Sequence, residues 1–518
     1  MKTKRNIKIA LSYVLIALLF TLIIVVPSAF AANISSVILN VGEDESVRAL
    51  VYQSDTQTSN EVKLNFSNDE KDFTGAKSFK STPKKLSNGK WRNTVTFNDL
   101  QPGKEYMYQI KGDTKVYKFR VSEDKDFSFA AFGDVQLGVG NLQKEEKNWD
   151  KTLKTVETEF PNIDFLLSLG DQVNSITSKN QDSEYDAFSK PEGLKKYPIA
   201  ALPGNHDGST SKTKERFYYP NETSHGGTLA GNDYFFKYKN ALFIILNSNN
   251  QNTLSHKKAI KEAIDKYPDA KHRIVCFHHS IYSVANHSES PDILKRRKEL
   301  VPVFDENKID LVLMGHDHVY VRTEQLKNNI PVNKDNYYTD EGTVYTTLDS
   351  SSSSKFYGIK SKDFPYAKVK WQGKESSYTI VNVSDSEIKV STYTTENKTL
   401  IDSYSIKDRI NNNNQNNPTE NNNENPTENN NNQDNKSENN NENSTENKPV
   451  SNNDKIKSNE KIISKDKSKI NSIHSDKKSD KESPKTGIVS ESIIALSLAF
   501  FAVSAIAAIS QKKSKLNK

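Results

Sequence analysis

The chain has 518 residues, with 72 Lys and Arg against 66 Asp and Glu, a net charge of +6 and a mean hydropathy of −0.76. That length holds two folded domains plus further segments, the modest charge argues against a nucleic-acid partner, and so low a hydropathy means that part of the chain is not packed. Cys276 is the only cysteine, which excludes an intrachain disulfide, and its place in an apolar run marks it as a small packing residue.

In chain order, residues 1–31 come first. Lys2, Lys4, Arg5 and Lys8 precede an apolar run over 9–26, and Ala29-Phe30-Ala31 offers a small-x-small cleavage site. This is the pattern of a secretory signal peptide. An uncleaved anchor is the alternative, because the run approaches the length that spans a bilayer.

Residues 33–122 carry alternating apolar segments at 36–41, 47–52, 62–66, 93–97, 106–110 and 115–121, with turn residues between them. Such spacing predicts a small antiparallel β-sandwich.

Residues 125–405 carry the chemistry. Five motifs fall in order, each at the end of an apolar run: Gly133-Asp134 after FSFAAF, Gly170-Asp171 after DFLLSL, Gly204-Asn205-His206-Asp207 after IAALP, His278-His279 after IVCF and Gly315-His316-Asp317-His318 after IDLVLM. A Gly-Asp pair alone carries little, since about two should arise by chance in a chain of this length, and Gly112-Asp113 is such a stray. Order and placement carry the argument. Apolar runs alternating with helical stretches predict a layered α/β fold, and ligands of such sheets gather at the carboxyl ends of the strands.

From 409 to 482 the chain is dominated by Asn, Glu, Ser and Lys, with a near-repeat at Pro418-Thr419-Glu420 and Pro426-Thr427-Glu428. This composition cannot bury enough apolar surface to offset chain entropy and predicts a disordered stalk. Residues 483–518 follow: Ser483-Pro484-Lys485-Thr486-Gly487, an apolar stretch over 493–509, and a tail with Lys512, Lys513, Lys515 and Lys518. That order resembles a Gram-positive sortase sorting signal, with Ser where the commonest version has Leu. The resemblance implies cleavage between Thr486 and Gly487, with sortase and peptidoglycan as partners and the chain a monomer on the cell wall. A C-terminal membrane anchor is the alternative.

The motifs of residues 125–405 resemble the calcineurin-like metallophosphoesterase superfamily, and its purple acid phosphatase branch in particular. Arg216-Phe217-Tyr218-Tyr219-Pro220, and Tyr320 with Arg322, resemble further segments of that branch. Leu100-Gln101-Pro102-Gly103-Lys104-Glu105-Tyr106-Met107-Tyr108 resembles a segment of the fibronectin type III-like domains that precede such catalytic domains. The fold implied is a four-layer α/β/β/α sandwich behind a small all-β domain. The resemblance also implies two divalent ions, of Mn, Fe or Zn. Asp171 would bridge them, Asp134 and His318 would bind the first, and Asn205, His278 and His316 the second. A bridging anion is physically required, because two cations about 4 Å apart repel strongly. The resemblance implies His278 rather than His279, because His278-His279-Ser280-Ile281-Tyr282-Ser283 aligns through its first His with the family's H-x-P-x-[WY] pattern; strand alternation would also turn His279 to the opposite face.

By the same resemblance His206 faces the substrate and protonates the leaving group, Asp207 orients it, and His287 contacts the substrate. The purple acid phosphatases have a Tyr three residues after the bridging Asp, where this chain has Asn174. Other metallophosphoesterases have a His two residues after the first Asp, where this chain has Gln136. Either amide completes the first ion's shell or hydrogen-bonds behind it. His225, His256 and His272 are expected at the surface. The expected function is direct hydrolysis of a small-molecule phosphomonoester by a water that two ions activate. The alternatives are a phosphodiesterase or nucleotidase of the same superfamily, or a surface adhesin with a vestigial enzyme fold. Strands near 344–348, 378–383 and 388–393 are expected to complete the second sheet.

Overall fold

The structure is a computed structural model that describes residues 33–408 apart from 69, 70 and 335. The expected signal peptide, stalk and sorting signal, with Thr486 and Gly487, lie outside the described residues. Among those described, no helix is long and apolar enough to cross a membrane.

Eight strands lead: β1 (Ile34–Val41), β2 (Arg48–Ser54), β3 (Glu61–Phe66), β4 (Lys77–Lys80), β5 (Lys84–Lys85), β6 (Trp91–Phe97), β7 (Glu105–Ile110) and β8 (Tyr117–Arg120). The six expected segments are all strands, and the short β4 and β5 are additions. One sheet runs β4-β3-β7-β8. Its buried Val62, Tyr106 and Tyr108 pack against Leu39, Leu50 and Tyr52 of β1 and β2. Tyr106 accepts the Gln101 amide at 2.8 Å, closing the Leu100–Tyr108 corner.

The larger region that follows continues with β9 (Phe127–Phe132), α1 (Leu142–Glu159), β10 (Phe165–Ser168), α2 (Ser178–Phe188), α3 (Gly193–Lys196), β11 (Ile199–Ala201), α4 (Lys212–Arg216), β12 (Tyr234–Tyr238), β13 (Ala241–Ile245), α5 (Thr253–Lys266), β14 (His272–Cys276), α6 (Pro291–Glu306) and β15 (Leu311–Met314). It closes with β16 (Tyr320–Thr323), the hairpin β17 (Gln325–Lys327) and β18 (Ile330–Asn333), β19 (Tyr337–Tyr338), β20 (Val344–Thr347), β21 (Ala367–Trp371), β22 (Ser377–Val383), β23 (Glu387–Thr394) and β24 (Leu400–Lys407). Two sheets result, ordered β19-β24-β23-β22-β9-β10-β11-β1-β2-β6-β5 and β12-β13-β14-β15-β20-β16-β21.

Period-two side-chain alternation builds the layers. Phe129 and Phe165 meet Phe243 of the second sheet, each with ring centroids 5.3 Å away. Phe132 faces outward to Trp149 of α1 at 5.0 Å. On the second sheet Phe243, Ile274, Leu311 and Leu313 join the inter-sheet core, while Leu242, Val275 and Val312 pack under α5 and α6. The fold is therefore the expected α/β/β/α sandwich behind an all-β region.

Two expectations need correction. The sandwich is not closed on itself, because β1 pairs in parallel with β11 through Asn40 and Ile199 and so extends the sheet that holds β9 to β11. Of the three late strands only β20 joins the second sheet. β22 pairs antiparallel with β9 over five residues, so β22 to β24 complete the first sheet. A parallel β9 would otherwise be an unpaired edge, which proteins avoid.

Candidate metal centre

Every motif lies just past the carboxyl end of a strand: Asp134 after β9, Asp171 after β10, Asn205 and His206 after β11, His278 after β14, and His316 and His318 after β15. The loops are tightly nested. A Cβ on Gly204 would stand 2.1 Å from Asp171 Oδ1, and one on Gly170, at φ +90°, would stand 2.7 Å from both the Gly204 nitrogen and His278 Nδ1. Asp171, Gln136, His316 and His318 also hold left-handed backbone, which a side chain adopts only when its surroundings compel it.

His278 is fully buried, and its Nδ1–H donates to the Leu169 carbonyl at 2.8 Å. That bond fixes the ring and turns Nε2 toward the cluster. Around Nε2 stand Asn205 Oδ1 at 3.1 Å, His316 Nδ1 at 3.2 Å and Asp171 Oδ2 at 3.3 Å, and Asn205 Oδ1 is 2.9 Å from His316 Nδ1. Four electron-rich atoms turned on one point repel unless positive charge sits among them. Their spacing suits an ion bonded at about 2.0–2.2 Å, whose neighbouring ligand atoms stand roughly 3 Å apart. Burial works against charging His278, yet Asp171 and Asp134 hold its pKa up at about 9, so without an ion a proton on Nε2 supplies the positive charge among these atoms, and a bound cation would take that proton's place.

A second point lies beside the first. His318 donates its Nδ1–H to the Lys355 carbonyl at 2.9 Å, leaving Nε2 3.6 Å from Asp134 Oδ1. Asp134 Oδ2 accepts the His316 amide at 2.6 Å, while Oδ1 is buried with no hydrogen-bond partner. Asp134, Asp171 and His278 offer ligand atoms within 4.8 Å of one another. Burial, with the Asp171 charge, pushes Asp134 up to about 8, while burial also holds His316 well below the ordinary imidazole value and His318 down at about 3. Asp171 is held low in spite of burial by His278 and His206. A carboxylate beside imidazoles that refuse protons is a donor set for cations, and it fits two ions.

His206 donates its main-chain N–H to Asp171 Oδ1 at 2.9 Å, and its ring Nε2 stands 4.0 Å from Asp171 Oδ2. Its Nδ1 contacts the Asn174 carbonyl. Asp207 does not take the orienting place expected of it. Fully buried, it accepts the Tyr185 hydroxyl at 2.7 Å and the Gly204 and Gln172 amides at 2.9 and 3.3 Å, so it braces the loop rather than the imidazole. Burial and Asp171 push its pKa up to about 7.

His287 comes within 4.5 Å of the His316 ring, with its amide on Asp317. His279 also reaches the cluster, 4.7 Å from His316, with Nδ1 2.8 Å from Ser248 Oγ. The alternation argument fails for it because β14 ends at Cys276. Cys276 is buried, and burial pushes its thiol up.

His256 and His272 are buried, contrary to expectation. His256 bonds Asp233 at 2.7 Å and the Asn250 carbonyl at 2.9 Å, and His272 bonds the Ser384 carbonyl at 2.8 Å. Arg216 is fully buried on Asp182 at 2.9 Å, and Arg322 and Tyr320 share Asp402 at 2.6 and 2.8 Å, so these segments brace the fold. Sequence reasoning missed Tyr185, Lys355 and Tyr357, whose ring lies 5.0 Å from His318. Nothing local marks them, since each is brought in by a distant helix or loop.

Residues 127–320 match the calcineurin-like phosphoesterase family. That stretch is similar to metallophosphoesterase domains, a class that uses a dinuclear metal centre. The fold is similar to that of purple acid phosphatase PPD1 from yellow lupin (Lupinus luteus) seeds, with a TM-score of 0.61, 15% identity, and 73% of this chain and 75% of that one covered. Uncharacterized proteins from two Mycobacterium tuberculosis strains, CDC 1551 / Oshkosh and H37Rv, are each 33% identical over 92 residues, 16% of this chain. The match spans 17% of the length of those curated relatives.

Proposed function

We propose that the chain is a cell-surface, metal-dependent phosphomonoesterase that cleaves its substrate by direct attack of water, with no covalent phosphoenzyme. The observation that carries the reading is the set of lone pairs from Asp171, Asn205, His278 and His316 turned on one point, with Asp134 and His318 beside it. Two divalent ions held there would supply an activated water and neutralise charge on the phosphoryl group. Asp171 would bridge them, Asp134 and His318 would hold the first, and Asn205, His278 and His316 the second.

The protein's own part is positioning and proton transfer. With Nδ1 on the Asn174 carbonyl, His206 keeps Nε2 toward the site, and in its imidazolium form that nitrogen gives its proton to the leaving alkoxide. His287, whose ring lies 4.5 Å from that of His316, would contact the phosphoryl oxygens. Asn174 in place of a Tyr leaves no phenolate for a ferric ion, so the pure protein is expected to be colourless. The fibronectin type III-like character of residues 33–122, the signal peptide, the disordered stalk and the sortase signal cut between Thr486 and Gly487 belong to the same proposal. A cell-wall digest should release a peptide ending at Thr486.

The deciding experiment assays the full chain on a chromogenic phosphomonoester and a bis-ester, with added Mn²⁺ and with a chelator. Monoester turnover that the chelator abolishes and Mn²⁺ restores is expected. Preference for the bis-ester would make the chain a diesterase, and inactivity of a metal-replete protein on both would end the proposal.

A further inference from the structure

Gln136 is fully enclosed, two residues along the loop from Asp134, and its main-chain N–H donates to the Asp171 carbonyl at 2.7 Å. It pays for that position with left-handed backbone, at φ +37°. One bond orients its carboxamide: Nε2 donates to Asn174 Oδ1 at 3.2 Å. Asn174 is itself fixed, with Nδ2 donating to the Gly138 carbonyl at 3.2 Å and its own carbonyl against the His206 ring. The oxygen of Gln136 is left over. Oε1 is buried with no donor in reach, and the other orphan acceptor on this loop is Asp134 Oδ1. A buried acceptor without a donor calls for an electropositive partner of another kind.

We propose that Gln136 Oε1 is a ligand of the ion held by Asp134, Asp171 and His318, and that Asn174 is the positioning residue that aims it. This inference rests on the two-ion reading above. Asn174 cannot take the ligand place through its own Oδ1, because that oxygen already accepts the Gln136 amide and the two amides divide the work. A neutral oxygen beside two carboxylates and one imidazole makes this position oxygen-rich, the kind of site that favours Mn²⁺ over softer ions.

The test titrates Mn²⁺ into the full chain against a competing chromophoric chelator, counts Mn²⁺ per chain, and records the Mn²⁺ EPR spectrum. Wild type, Gln136→Ala, Gln136→Glu and Asn174→Ala are compared, with circular dichroism confirming that each is folded. The wild type is expected to bind two Mn²⁺. Gln136→Ala should weaken one of them at least tenfold and leave the other unchanged, and Asn174→Ala should weaken the same one by less. Gln136→Glu, which is isosteric, should bind that ion more tightly than wild type, because a carboxylate oxygen replaces the amide oxygen. If Gln136 only donates to Asn174, the sign reverses: Glu sets its charge against Asn174 Oδ1 and binding weakens. That result, or wild-type affinity in Gln136→Ala, overturns the inference while two Mn²⁺ in the wild type keep the two-ion reading. A wild type that binds no Mn²⁺ overturns both.

Discussion

His206 and Asp171 stand 4.0 Å apart in one pocket, and their substitutions should separate. On the proposed reading His206→Ala would remove a proton donor that is not in the donor set, so metal analysis should still find two ions while turnover falls about 10²–10⁴-fold. On the same reading Asp171→Ala would take the bridging anion from between two cations, and both metal content and turnover should be lost. Full activity in the second variant would show that another group bridges. Asp207 makes a third case. Three donors converge on its carboxylate, so Asp207→Asn should cost about 1–3 kcal/mol in a urea titration by leaving a buried partner unpaired. The pH–rate profile should keep its shape, because no bond links Asp207 to the imidazole. A shifted profile with unchanged stability would restore the orienting role to Asp207.

At the scale of elements, α5 is tied to the loops below it by His256. Burial lowers its pKa, but the hydrogen bond and charge of Asp233, helped by the Asn250 carbonyl, hold it above the ordinary value. A group whose folded pKa is raised gives stability that is complete below its unfolded pKa of about 6.5 and is lost as pH rises through the folded value. The difference in Tm between the wild type and His256→Asn should therefore be largest in mild acid and shrink above neutrality. A difference that grows with pH would mean that the pair is neutral in the fold. The same tie steadies the active site, because the Asn247–Asn250 turn beside it sends Asn249 Nδ2 to the Gly204 carbonyl at 2.9 Å.

At the scale of the molecule, the described residues lie in one compact unit. The join between the all-β region and the catalytic region is buried and polar as well as a shared sheet. Tyr108 donates to the Lys195 carbonyl at 2.9 Å, Ser36 to Asp186 at 2.7 Å, and Asn40 Oδ1 accepts the Tyr218 amide at 3.1 Å. Removing residues 33–122 would strip β1 from β11 and leave these groups without partners. Calorimetry of the full chain should accordingly show one cooperative transition, with the calorimetric and van't Hoff enthalpies in agreement. Two resolved transitions would mean that the all-β region folds on its own.

The five core strands and the residues at their ends were legible in the sequence because both signals are local: an apolar run of strand length, then a glycine and a ligand-type side chain. FSFAAF is β9 residue for residue. What the sequence did not contain was the set of contacts between distant segments. That β22 seals the edge of β9, that β1 extends the catalytic sheet, that Asp207 turns to Tyr185 and that His279 stays beside His316 all depend on packing across more than one element. The sequence by itself determined which residues stand at the strand ends, because periodicity is written in consecutive positions. Only the tertiary structure decided which of them face one another, because that depends on how the sheets stack and the loops nest.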